Sequence, residues 1–251
     1  AAVRRSVPVM DATASVIPII NPEVTSLEEE SEEDSNKEVM LLVEDNQELR
    51  TFLRTIFSPV YRVIEAVDGM DGWSKALKFV PDIIISDVMM PEKDGIEMTK
   101  ELRADMTTSH IPIVLLTAKT SIESKLEGLE YGADDYITKP FSATYLKARV
   151  ENLLAQRHKL QSFYRDNLMN GVLSSTAVSE EVVLEEEKLP EMSPNDRKFM
   201  DKLIELMEKN MDNGDLVVDD LVREVAVSRS VFFKKLKTLT GLAPIEFIKE
   251  M

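Results

Sequence analysis

The chain has 251 residues, 43% of them hydrophobic, and a net charge of −16. That length suits one large or two modest domains. There is no cysteine, which excludes a disulfide framework and thiolate metal sites and fits a reducing compartment. No apolar run approaches the roughly 20 residues that a membrane helix needs. No secretory signal pattern opens the chain. The expectation is a cytoplasmic location with no membrane contact by this stretch.

In chain order, residues 1–36 come first, with a net charge of −6 and the run LEEESEEDSN. They lack a sustained period of 2 or 3.6 and read as an acidic linker or tail. From residue 37 short apolar runs alternate with amphipathic stretches. The runs are VMLLV (39–43), YRVIEAV (61–67), DIIIS (82–86), PIVLLT (112–117) and DYIT (135–138). Helical patterns follow each of them: NQELRTFLRTIF, DGWSKALKFV, DGIEMTKELRAD, SIESKLEGLEYG and SATYLKARVENLLAQR. Five strands, each followed by a helix, predict a doubly wound α/β domain with a parallel sheet. The third and fourth runs are apolar without alternation, as expected where helices cover both faces. Asn46 reads as the cap of the first helix, and Gly95 as a residue of loop geometry before the third.

In this class of sheet, ligands bind beyond the carboxyl ends of the strands, at a switch point in strand order. Those ends carry Glu44 and Asp45, Asp87, Thr117, and Lys139 followed by Pro140. Taken alone, Asp87 is ordinary punctuation at a strand end. Three carboxylates, a hydroxyl and an ammonium on one rim are harder to dismiss. Crowded carboxylates repel one another, and a hard divalent cation such as Mg²⁺ resolves the conflict. Thr117 and Lys139 suit the oxygens of a phosphoryl group. A carboxylate can itself be the nucleophile in phosphoryl transfer.

The motifs EDN, IIISDVMMPEKDG, LLTA and YITKPF resemble the receiver domain of bacterial two-component response regulators. The resemblance implies a five-stranded, flavodoxin-like domain over 37–160. It implies that Asp87 is the phosphoacceptor, fed by the phosphohistidine of a kinase. It implies Mg²⁺ held by Glu44, Asp45, Asp87 and the backbone carbonyl of Met89, and a phosphoryl group gripped by Thr117 and Lys139. The Lys139–Pro140 bond resembles the family's cis peptide. Tyr136 takes the family's aromatic switch position, turning inward as Thr117 moves toward phosphate. The surface that changes is formed by SIESKLEGLEYG, the fifth strand and the helix after it, and the same face is a homodimer candidate. A phosphatase with an aspartyl nucleophile is the rival from another class. It usually has a second Asp two residues on, where this chain has Met89. Neither His110 nor His158 carries the acidic neighbour and proline of a kinase's phosphorylated histidine, so the kinase lies outside this stretch.

Residues 161–192 read as a connector, with a net charge of −5 over 171–192. A new pattern starts at SPND, a cap with Pro194 in the first turn. VVDDLVREVA and SRSVFFKKLKTLTG then read as two short helices joined by a tight turn, a helix-turn-helix in a small all-α region. Ser228 suits the second helix's N-cap, and Phe232, Leu236 and Leu239 share its apolar face. That helix holds four bases and no acid, which suits reading of a DNA groove. The DNA-contact candidates are Arg229, Ser230, Phe233, Lys234 and Lys237. The bland alternative is a solvated basic face on a structural helix.

VSRSVFFKKLKTLTGLAPIEFIKEM resembles the first helix-turn-helix of AraC-type transcription factors. Two departures stand out: Ala226 where the family has Gly in the turn, and no second helix-turn-helix, so 193–251 reads as a truncated module with weak DNA binding. Receiver plus AraC-type module resembles the C-terminal part of a hybrid two-component system. The resemblance implies that this stretch is not itself an enzyme, beyond self-phosphorylation and autodephosphorylation chemistry. It implies a parent chain carrying the histidine kinase, anchored in the inner membrane, and binding DNA through the complete C-terminal domain. The alternatives are a free-standing response regulator, or a receiver that serves as a phosphate sink or protein-binding module without DNA.

Overall fold

A computed structural model describes residues 37–118, 131–169, 192–210 and 217–250. The expected tail at 1–36, most of the connector at 161–192, and nearly all of SIESKLEGLEYG lie outside these residues.

Five strands alternate with helices: β1 (Val39–Val43), α1 (Gln47–Phe57), β2 (Arg62–Ala66), α2 (Gly69–Phe79), β3 (Ile83–Asp87), α3 (Gly95–Ala104), β4 (Ile113–Thr117), β5 (Asp135–Thr138) and α4 (Ala143–Met169). All pairings are parallel, in the order β2-β1-β3-β4-β5. The doubly wound α/β reading therefore holds. Strands β3 and β4 are buried at every position, and the period-2 geometry of a strand explains how. Ile84, Ile113 and Leu115 face one core with Ala76, Met98 and Leu102 of α2 and α3. Ile83, Ile85, Val114 and Leu116 face the other, with Leu53 and Phe57 of α1 and Leu146 and Val150 of α4. With a helix layer on each side, no residue of β3 or β4 is left to point at water, whereas edge strand β2 is half-buried over Arg62–Glu65. Each fully buried aliphatic side chain contributes about 1.5–3 kcal/mol.

Local chemistry fixes where the helices begin. Asn46 accepts from Leu49 N at 2.9 Å, Asp68 from Asp71 N at 2.8 Å and Asp94 from Glu97 N at 2.7 Å. These caps satisfy first-turn N–H groups that have no partner within the helix. Gly95 has a tighter role. A Cβ there would lie 2.1 Å from the Asp87 carbonyl oxygen, so only glycine lets α3 start against the end of β3.

The C-terminal helices are α5 (Pro194–Asn210), α6 (Val218–Glu224), α7 (Arg229–Thr240) and α8 (Pro244–Glu250). They enclose a third core in which Phe199, Leu203, Leu221, Phe232, Leu236 and Phe247 are at most 1% exposed. Asp196 N donates to Ser193 Oγ at 3.1 Å, and Ser228 caps α7. Helices α6 and α7 are separated by residues 225–228, where Ala226 has φ 54°. An L-residue there is strained, so Ala226→Gly is expected to raise stability by about 1 kcal/mol. Equilibrium urea unfolding checks it, and an unchanged midpoint would count against strain at this turn.

Helices α5 and α7 rest on the edge of the sheet where the strands begin. Lys234 Nζ donates to the Phe79 carbonyl at 2.9 Å, just before β3. Asn195 Nδ2 donates to the Arg103 carbonyl at 2.8 Å, at the end of α3. Lys235 reaches Ser109 Oγ at 2.9 Å, in the loop before β4. Because the sheet is parallel, all these contacts lie at the amino edge, a strand's length from the residues at the carboxyl ends.

Candidate functional site

The strand order makes a switch point between β1 and β3. Val43 pairs with Ser86, so the next residues, Glu44 and Asp87, emerge side by side. Asp87 is level with Leu116, one residue before Thr117. Thr117 is level with Thr138, and Lys139 follows. Register alone thus delivers these side chains to one rim.

The geometry is close. One carboxylate oxygen from each of Glu44, Asp45 and Asp87 lies within 4.8 Å of the others. Lys139 Nζ is 2.9 Å from Asp87 Oδ2 and 3.1 Å from Glu44 Oε2. Asp87 Oδ1 accepts from Val88 N at 2.8 Å. Arg50 supports the β1 end, its Nη1 donating to the Glu44 carbonyl at 2.6 Å. Glu44 and Asp87 are buried, whereas Asp45 is exposed.

Burial raises the Glu44 carboxyl above the usual carboxylate range, and the charge of Asp87 adds to the shift. The Lys139 ammonium opposes both. One ammonium faces three carboxylates, so the cluster keeps an excess of negative charge and of oxygen donors. That donor set fits a hard divalent cation.

The other expected residues fall in distinct places. Thr117 is fully buried at the end of β4, and its carbonyl accepts from Lys139 N at 2.6 Å. The Lys139–Pro140 bond is cis. Met89 lies two residues beyond β3 and is 61% exposed. Tyr136 is buried within the core between the sheet and helices α2 and α3. Among the described residues its hydroxyl is buried without a hydrogen-bond partner, which costs about 1–3 kcal/mol. Tyr136→Phe is therefore expected to stabilise the fold by about 1 kcal/mol. A drop in thermal midpoint on that substitution would contradict the unpaired hydroxyl.

On α7, Arg229, Ser230 and Lys237 are exposed and Phe233 is half-buried. Arg229 pairs with Asp219 at 2.6 Å and stacks over the Phe233 ring at 5.3 Å. Lys234 departs from the expected free face. Its ammonium is held by the Phe79 carbonyl, and burial pushes its pKa down. Sequence reasoning missed Lys235 altogether. It is 0% exposed and pairs with Asp196 at 2.7 Å. The signal was there: Lys235 stands three residues after Phe232 and one before Leu236, on the buried stripe.

No helix among the described residues is long and apolar enough to cross a membrane.

The chain is similar in sequence to known proteins. The chain is 35% identical over 229 residues to histidine kinase P4 of Formosa agariphila, covering 90% of this chain and 16% of that one. It is 39% identical over 136 residues to the probable transcriptional regulator ycf27 of Porphyridium aerugineum, covering 54% of this chain and 55% of that one. The chain thus spans a small part of the first relative and about half of the second. Among solved structures, the receiver domain of a sensor histidine kinase from Pseudomonas aeruginosa PAO1 is 30% identical, with a TM-score of 0.45. The match covers 47% of this chain and 98% of that one, which has a magnesium ion coordinated in its active-site cleft. The family model described as the response regulator receiver domain matches residues 40–151. With the parallel sheet and the acidic rim in place over the same residues, 40–151 form a receiver domain of a response regulator.

Proposed function

We propose that this chain is a phosphorylation-controlled transcriptional regulator whose receiver takes a phosphoryl group on Asp87. The observation that carries this is the rim itself: a buried Asp87 at a switch point, flanked by two further carboxylates and held by Lys139 at 2.9 Å. Receiver domains work with histidine kinases, and the donor here is a kinase phosphohistidine. An Asp87 carboxylate oxygen forms the new O–P bond, the P–N bond breaks, and the imidazole leaves with the electron pair. Glu44, Asp45, Asp87 and the Met89 carbonyl would hold Mg²⁺, which supplies charge neutralisation for carboxylates and phosphoryl oxygens. Lys139 exchanges its carboxylate partner for a phosphoryl oxygen. Thr117 donates its hydroxyl to another.

Phosphate adds negative charge and acceptor oxygens to a rim already rich in acid. Thr117 shifts toward it, and the aromatic ring of Tyr136 reports the change. Its buried, unpaired hydroxyl supports a ring with two positions, one dry and one hydrogen-bonded. The output is DNA binding by the C-terminal helices through Arg229, Ser230, Phe233, Lys234 and Lys237. Lys234 is engaged by the receiver, so full engagement of DNA requires α7 to leave its seat. The likeness to histidine kinase P4 runs over 229 residues, well past the receiver, and supports the hybrid two-component reading over a free-standing regulator. The test is reaction with a small phosphodonor, with and without Mg²⁺, and mapping of the modified residue by mass spectrometry. Label on any residue other than Asp87, or equal labelling after chelation, defeats the reading.

A further inference from the structure

A cavity of about 500 Å³ opens between the receiver and the C-terminal helices. Its receiver wall comes from the end of α3, the segments before β4 and β5, and the middle of α4. Its other wall is the start of α5 and the last turn of α7. It shares no residue with the acidic rim.

Among the described residues, two polar atoms on its lining are buried without partners, His110 Nδ1 and Arg157 Nη1. The cations around it are otherwise matched. Arg103 pairs with Asp134, and Asp196 with Lys235. Part of the Arg157 side chain reaches solvent, but among the described residues it makes no ion pair. The carboxylates of Asp82, Asp196 and Asp134 act on it from a distance, so among the described residues Arg157 is the lining cation without a direct counter-ion. A largely enclosed cation without a direct counter-ion is costly, and its buried Nη1 keeps a donor available to an occupant.

We propose that this cavity binds a small organic monocarboxylate, its carboxylate paired with Arg157 and hydrogen-bonded by His110, its apolar body against Leu153, Leu160 and Leu239. The chemistry selects that class. A planar carboxylate matches the guanidinium fork. One negative charge gives the unpaired guanidinium a direct counter-ion, whereas a phosphate dianion would bring a second charge into a cavity that already feels three carboxylates. Burial, aided by the nearby Arg157 and Lys235, holds the His110 pKa well below its ordinary value. The neutral ring can then carry its proton on Nδ1 and donate it. Burial lowers the Arg157 pKa to about 10, so the guanidinium stays charged at neutral pH. The volume falls in the range of small-molecule sites.

Because the two walls belong to different parts of the chain, an occupant favours the docked arrangement in proportion to its affinity. A carboxylate metabolite would then restrain α7 independently of Asp87.

The test is calorimetry and thermal unfolding of the full chain with aliphatic and aromatic monocarboxylates, including hexanoate and benzoate. Benzamide and inorganic phosphate are the controls. At least one carboxylate is expected to bind saturably and raise the unfolding midpoint, with both controls inert. Arg157→Gln, which removes an unpaired buried charge and should fold, weakens that carboxylate by at least about tenfold. His110→Ala weakens it less. Asp87→Asn leaves the affinity unchanged, which separates this site from the phosphoacceptor reading. No carboxylate binding at millimolar concentrations would leave the cavity to water and overturn the proposal. So would an affinity that Arg157→Gln shifts by less than about twofold, or equal binding of phosphate.

Discussion

Asp87→Asn is expected to abolish labelling by a small phosphodonor such as acetyl phosphate while the protein remains folded. The amide keeps the shape of the carboxylate, and its oxygen can still accept from Val88 N, now at 2.8 Å from Oδ1. What disappears is the anionic oxygen needed to form an acyl phosphate. The substitution breaks the Lys139–Asp87 pair at 2.9 Å, but Lys139 keeps Glu44 at 3.1 Å. It also removes one negative charge from a crowded cluster, so the net effect on stability should stay within about 1 kcal/mol. Intact-protein mass spectrometry after reaction in Mg²⁺, alongside circular dichroism, measures both halves. A phosphorylated Asp87→Asn protein would move the acceptor elsewhere. An unfolded one would show that the carboxylate holds the rim together, and Asp87→Glu would then be the variant to label.

The sheet was legible from the sequence because its signals are local. Five short apolar runs, two of them without alternation, already imply strands covered on both faces. Parallel pairing then carries the last residue of each strand to a common edge, so Glu44, Asp87, Thr117 and Lys139 could be grouped before any coordinate was known. The cap at Asn46 was legible for the same reason: its acceptor and donor are three residues apart. The docking of α7 was not, because it depends on pairs separated by more than a hundred residues, such as Lys234 with Phe79 and Lys235 with Ser109. A helical wheel separates apolar from charged residues, and it treats a lysine as surface. It cannot see that Asp196, on another helix, makes a buried ammonium tolerable at Lys235. The same bias placed Lys234 on an open basic face when its partner is a carbonyl of the receiver. Tyr136 differs again. Its position in β5 was readable, but a buried hydroxyl with no partner depends on the packing around it.

Lys235→Met should cost about 3–5 kcal/mol of stability, the usual consequence of removing one partner from a buried ion pair. Lys235 is 0% exposed and Asp196 only 4%. The ammonium satisfies Asp196 Oδ1 at 2.7 Å, Ser109 Oγ at 2.9 Å and the Met106 carbonyl. Methionine fills the volume but leaves the Asp196 carboxylate with Ser109 Oγ, at 2.8 Å, as its remaining side-chain donor. A second substitution, Asp196→Leu, should restore much of the loss, because an apolar pair of similar volume needs no counter-charge. The double-mutant cycle therefore has a large coupling energy, measurable by urea unfolding of the four proteins. The pair also has a conformational consequence. It joins α7 to α5 and to the loop before β4 at once, so its loss should raise amide exchange in residues 105–111 as well as in α7. A cost below about 1 kcal/mol with unchanged exchange would mean that this lysine reaches solvent. Coupling that large with exchange confined to α5–α8 would mean that the pair builds the C-terminal core without fastening it to the receiver. Raised exchange on both sides is the outcome that makes the buried pair the clasp holding α7, with Lys234, on the receiver.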